Sequence, residues 1–171
     1  MILSRPLMSH QPVIDGFEFA SAGAMQQGSM PVSSFSRLRD QLASDAGEVA
    51  YKVEGRRDER GRPSLLVGVR GTLQLRCQRC LEAMPFEVDE QDLLVLAATQ
   101  AEIDADPVDA QAPDRVLAKK DMSLRELVED ELILALPYAP RHEGCGGGTA
   151  AQGQEKVSPF AGLRGLMKDR H

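Results

Sequence analysis

The strongest constraint on this 171-residue chain is a stretch of strict alternation between residues 49 and 75. Apolar side chains fall at Val49, Tyr51 and Val53, then at Leu65, Val67, Val69, Leu73 and Leu75. Successive strand residues point to opposite faces, so period two with β-branched residues makes each run a half-buried strand. The connection Arg56-Arg57-Asp58-Glu59-Arg60-Gly61-Arg62-Pro63 is polar and contains Gly and Pro, which turns the pair into a hairpin with a basic tip. Gly68 and Gly71 mark a bulge or bend in the second strand. Pro85-Phe86-Glu87-Val88-Asp89 alternates again and leads into an apolar run ending at Ala98. Because every connection is short, the simplest arrangement over 48–98 is an antiparallel meander.

The core under this sheet must be aliphatic. Hydrophobic residues make up 42% of the chain but aromatic ones only 4%, with no Trp. That argues against a sheet face that binds RNA by aromatic base stacking. The apolar runs at 93–98 and 132–136 fall far short of the ~20 residues that span a bilayer. The N-terminus lacks a basic start followed by an apolar stretch, so a cytoplasmic protein is expected, with no membrane partner. Three Cys make a poor disulfide framework and suit a reducing compartment or a metal site.

Outside the sheet the chain divides into four segments. Residues 1–47 carry an anchor of Val13, Ile14, Phe17 and Phe19, then a short helix predicted between Pro31 and Ala43 from the spacing of Phe35, Leu38 and Leu42. Residues 99–120 form an acidic loop, with 99–114 solvated. Residues 121–145 hold the main helix. It starts at the capping box Ser123-Leu124-Arg125-Glu126, lines one face with Leu124, Leu127, Val128 and Leu132, and is stopped by Pro137. Glu129, Asp130 and Glu131 are consecutive, so they fan round the helix and read as a solvated face rather than converging catalytic carboxylates. Residues 146–171 are a linker and a short basic helix starting at Ser158-Pro159. The fold class is α+β: an antiparallel β-meander with one packed central helix and short terminal helices.

Cys77-Gln78-Arg79-Cys80 lies where one strand ends and the next begins. A tight turn can aim two such thiolates at one tetrahedral zinc, and the remaining Cys145 lies three residues after His142. Cys77, Cys80, His142 and Cys145 are thus a chemically complete ligand set. The competing reading is reduced thiols in a turn beside an ordinary loop histidine. A redox role would require a strand-to-helix junction in a βαβ context, which is absent. The glycines at 146–148 lack the Lys-Ser/Thr of a phosphate-binding loop, and no nucleophile has an evident base, so no enzyme and no small-molecule substrate are expected.

Between Lys52 and Glu82 there are eight Lys or Arg against four acids, although the whole chain has a net charge of −6. Arg56, Arg57, Arg60, Arg62, Arg76 and Arg79 supply forked donors suited to RNA phosphates. Solubility and pairing with the acidic segment are the plainer reading of the same residues. In the last segment Phe160, Leu163, Leu166 and Met167 either pack on the protein's own core or form a partner-docking helix.

Cys77-Gln78-Arg79-Cys80, the block from Leu127 to Pro137, Pro140-x-His142-x-x-Cys145 and Pro159-Phe160-Ala161-x-Leu163 together resemble the bacterial YceD family of large ribosomal RNA subunit accumulation proteins. The resemblance implies a non-enzymatic role in the synthesis, processing or stability of 23S rRNA or its precursor, and metal and nucleic-acid binding. All four candidate ligands, Cys77, Cys80, His142 and Cys145, are present, and zinc bound there would be structural, since four protein ligands leave no open position for water. The rival reading is a protein–protein interaction module that uses its acidic helix and loop on a ribosomal protein or assembly factor, without touching RNA.

Overall fold

The alternating runs pair as their pattern requires. In the computed structural model, which describes residues 12–105 and 112–145, the central strands are β4 (Glu48–Arg57), β5 (Pro63–Arg76) and β6 (Ala83–Ala97). Neighbours are antiparallel, with β4 and β5 in register from Val49↔Gly71 to Arg57↔Pro63, and β5 and β6 from Ser64↔Val95 to Arg76↔Ala83. Val49, Val53, Leu65, Val67 and Leu73 all lie fully buried on one face. The register passes Gly68 and Gly71 unbroken, so neither marks a bulge.

Further strands make the sheet mixed rather than a plain meander. β2 (Met25–Pro31) pairs antiparallel with β4 at one edge, β3 (Leu42–Ser44) pairs with the end of β5, and β7 (Arg115–Leu117) adds to β6 in parallel. β1 (Val13–Ile14) and β8 (Met122–Ser123) form a separate two-stranded ladder. Two short helices also differ from expectation. The apolar anchor forms α1 (Gly16–Ser21), capped by the Asp15 carboxylate, which accepts from the Glu18 N–H at 3.0 Å. The acidic segment forms α2 (Gln100–Ala105) where a loop was predicted. At Gly55 of β4 an added Cβ would lie 2.2 Å from the Phe19 carbonyl oxygen, so only glycine lets α1 sit this close to the sheet.

The helix predicted between Pro31 and Ala43 does not form. A 3-10 turn covers Val32–Ser34, a series of turns follows, and β3 closes the segment. Phe35, Leu38 and Leu42 are buried nonetheless. Their spacing registers burial of an irregular loop, which periodicity alone does not separate from a helix face.

The main helix, α3 (Leu124–Ala135), follows the sequence closely at its start. Ser123 Oγ accepts the Glu126 N–H at 3.4 Å, and Leu124, Val128 and Leu132 are fully buried against the strands. Its acids are the main correction. Glu129 and Glu131 are only 1% and 3% exposed, so of the three consecutive acids Asp130 alone lies on the solvated face. Three consecutive residues sweep ~200° of a helix, and α3 is covered on two sides. Glu129 accepts from the Arg37 backbone N–H at 2.6 Å and from Arg37 Nε at 3.1 Å, while the same guanidinium reaches Asp130 and the Glu126 carbonyl. Arg125 Nη1 donates to the Ser34 carbonyl at 3.0 Å. These bonds pin the irregular 32–41 loop to the helix.

Glu131 takes the other course. Burial, followed by the charge and hydrogen bond of Asp92 and the charges of Asp114 and Asp130, pushes its carboxyl from 4.5 to about 7. Arg37 is 47% exposed and keeps Asp130 as a partner, so Glu129→Ala leaves chiefly the Arg37 backbone N–H without its acceptor and is expected to cost about 1–3 kcal/mol in urea unfolding, with Asp130→Ala costing less. Glu131 gives a pH signature. Its folded pKa lies above the unfolded one, so its contribution is most favourable below about 4.5 and is lost as pH rises through about 7. Glu131→Gln should therefore melt above the wild type near pH 8, with the gap closing towards pH 5. A gap independent of pH would contradict the assignment.

Candidate metal centre

The long β5–β6 ladder ends in a tight turn that is closed by the Cys77 N–H donating to the Glu82 carbonyl at 2.9 Å. Inside it the Leu81 N–H donates to the Cys77 carbonyl at 2.9 Å, and Leu81 takes a φ of 65°, a left-handed conformation costing a non-glycine residue about 1–2 kcal/mol. The turn brings Cys77 and Cys80 to one side. The segment after α3 returns to the same place, with the Gln78 N–H donating to the Pro140 carbonyl at 2.8 Å and Arg79 Nη1 to the Cys145 carbonyl at 3.0 Å. The Cys145 N–H closes its own turn on the His142 carbonyl at 3.0 Å.

The result is a cluster of Cys77, Cys80, His142 and Cys145 whose ligand atoms all lie within 4.8 Å of one another. Cys77 Sγ is 3.7 Å from Cys145 Sγ, and Cys80 Sγ is 3.4 Å from His142 Nδ1. A tetrahedral zinc with bonds of ~2.3 Å to sulfur and ~2.0 Å to nitrogen requires edges of ~3.8 Å and ~3.5 Å, close to both distances. His142 Nε2 lies 3.1 Å from the Ala83 carbonyl, which fixes the proton on that nitrogen and leaves Nδ1 facing the sulfurs. Cys77 is buried and Cys80 exposed.

Without an ion the cluster's protons are unevenly shared, and Cys77 is the member held toward its thiolate. The backbone N–H of Cys80, with those of Arg79 and His142 behind it, holds the Cys77 thiol down at about 5. Hydrogen bonding to Cys80, with burial and Cys77, pushes Cys145 up to about 11, and the Cys77 side chain raises His142. Four protein ligands close a tetrahedral shell and leave no position for a reacting water, so the set suits a structural ion.

The six arginines divide between two places. Arg76 and Arg79 flank the metal centre, whereas Arg56, Arg57, Arg60 and Arg62 lie at the opposite end of β5, roughly 40 Å away at strand rise. Within its own hairpin the tip is held by Arg56 pairing with Glu54, Arg62 with Asp58, and Arg57 Nη1 donating to the Gly61 carbonyl. Phe160, Leu163, Leu166 and Met167 lie outside the described residues. The sequence reading passed over Tyr138, which is wholly exposed beside the centre, together with exposed Leu81 and Arg141. Its signal was an aromatic residue between Pro137 and Pro140, immediately before the ligand pair.

Fold and site define an α+β protein with a Cys3His cluster able to hold a metal ion and compatible with zinc. A family model described as large ribosomal RNA subunit accumulation protein YceD matches residues 66–167, more than half of the chain, and the chain belongs to that family. The matched span takes in both halves of the cluster, and the family name carries a role in large-subunit rRNA accumulation. No curated protein and no solved structure matches. Among the described residues no helix is long and apolar enough to cross a membrane.

Elemental analysis of protein purified under reducing conditions without chelator is expected to find about one zinc per chain. Cys77→Ser should lower zinc content and melting temperature together, since loss of a structural metal removes folding free energy. A wild type free of metal, with stability unmoved by the substitution, would reduce the cluster to two turns in contact.

Proposed function

We propose that the protein is a non-catalytic factor in the synthesis, processing or stability of 23S rRNA, binding the RNA or its precursor directly and using zinc at Cys77, Cys80, His142 and Cys145 as a structural clamp. The observation that carries this reading is the family match over 66–167, which spans the whole cluster. The clamp joins the β5–β6 turn to the loop after α3. Beside it, Arg76, Arg79 and Arg141 offer phosphate contacts, and Tyr138 offers an aromatic face on which an unpaired base can stack. At the other end of the sheet Arg57 and Arg60 project from the hairpin tip as a second set of phosphate contacts, so an extended RNA would run along β5.

The acidic helix is poorly suited to the rival role of protein docking, because Glu129 and Glu131 face inward. Reversal of Arg56, Arg57 and Arg60 to Glu is expected to weaken binding to 23S rRNA transcripts about tenfold or more at moderate salt and to flatten the salt dependence. Tyr138→Ala should weaken binding about fivefold or more, with zinc content unchanged. If neither variant alters RNA binding or crosslinking while rRNA accumulation still depends on the protein, the contact runs through a protein partner.

A further inference from the structure

Strand β2 leaves an unpaired sheet edge among the described residues. The direction of its backbone groups follows from its flanks. The Gly55 N–H donates to the Ala24 carbonyl at 2.7 Å, and the Val32 N–H donates to the Gly47 carbonyl at 3.0 Å, so the even-numbered residues face β4. Residues of an antiparallel ladder alternate in this respect. Met25, Gln27 and Ser29 therefore turn N–H and C=O groups away from the sheet. Pro31 has no N–H to leave unmet, and its carbonyl accepts Ser34 Oγ at 2.7 Å.

Edges of this kind template further strands, and monomeric proteins blunt them with charge, bulges or brevity. The opposite edge, β7, is three residues long. By contrast β2 is seven residues long, holds unbroken register from Met25↔Glu54 to Pro31↔Glu48, and contains no charged residue. In its sequence, Met25-Gln26-Gln27-Gly28-Ser29-Met30-Pro31, the positions that turn outward reflect about Gly28 in polarity, Met25 with Pro31 and Gln27 with Ser29, while Gln26 stands against Met30.

We propose that β2 is the interface of a two-fold homodimer, pairing antiparallel with β2 of a second copy so that the sheets of the two protomers become continuous. Full overlap places Gly28 opposite Gly28, Gln27 opposite Ser29 and Met25 opposite Pro31. Gln27 and Ser29 are the residues whose backbone groups point outward, so each such pair exchanges both of its N–H···O=C bonds. Met25, an exposed apolar side chain at 57%, gains a partner in Pro31. No charge meets a like charge, and the patch is its own complement, as a two-fold interface requires. An extended strand from another protein also fits an open edge, but the reflection about Gly28 favours a second copy.

Sedimentation velocity of the full chain over about a hundredfold range of concentration tests this, because a dimer fraction must rise with concentration. Wild type is expected to reach twice the monomer mass. Gln27→Pro removes only an outward N–H, a change edge strands tolerate, and should give monomer with unchanged circular dichroism and zinc content. A copy with Gln27→Lys and Ser29→Lys should also be monomeric, and should form a mixed dimer with one carrying Gln27→Glu and Ser29→Glu. A wild type that stays monomeric throughout, or a dimer indifferent to these substitutions, overturns the proposal.

Discussion

The ladder between β5 and β6 is the interaction on which the rest depends. It is the longest pairing in the sheet, and each end has a separate task. At one end it closes the turn that carries Cys77 and Cys80. At the other it carries β6 to the parallel strand β7, beside the basic tip of β4 and β5. A slip of one residue would send every side chain to the opposite face, burying Arg70 and exposing Val69, and would rotate Cys77 out of its buried position. The burial of Val67, Val69, Leu73 and Leu75 makes such a slip costly, at roughly 1.5–3 kcal/mol for each apolar side chain exposed. The site geometry is thus set by core packing rather than by the ligands themselves.

Two carboxylates two positions apart on α3 meet burial with different partners. Glu129 is met by Arg37, which supplies both a backbone and a side-chain donor, and the same guanidinium reaches Asp130. Glu131 has only carboxylates among the groups that set its titration, and sheds the charge by holding its proton. Charge pairing suits a contact that fixes a loop without regular hydrogen bonding, since each bond to Glu129 replaces one the 32–41 segment cannot make internally. A neutral carboxyl against β6 tolerates neighbouring acids that a carboxylate would not.

Much of the sheet was legible because its signal is local. Alternation fixes which residues of β4 and β5 face inward, and Ser123 with Glu126 announces the start of α3. What escaped depends on contacts distant in sequence. The loop holding Phe35 and Leu38 has helical spacing, yet it is fixed by Glu129, 92 residues from Arg37. The parallel addition of β7 and the inward turn of Glu131 likewise depend on neighbours supplied by other segments. The three cysteines and the histidine could be named as candidate ligands from spacing, but their meeting could not, because spacing says nothing of where the loop after α3 returns. The division of the arginines between opposite ends of β5 was concealed for a related reason: the tip and turn belong to one continuous hairpin, and only strand length separates them.

The two halves of the metal cluster are 62 to 68 residues apart along the chain. Joining points that distant removes about 4 kcal/mol of freedom from the unfolded chain, if an ion bridge is treated like a covalent cross-link. That is a large share of the stability of a small domain whose core has few aromatic residues. The halves meet through hydrogen bonds that need no ion: Gln78 to Pro140, Arg79 to Cys145, and His142 to Ala83. An ion held there therefore locks a shape that the polypeptide already specifies. It would hold the β5–β6 turn and the loop after α3 in fixed relation at the end of the sheet, so that little ordering remains to be done by any ligand that meets both.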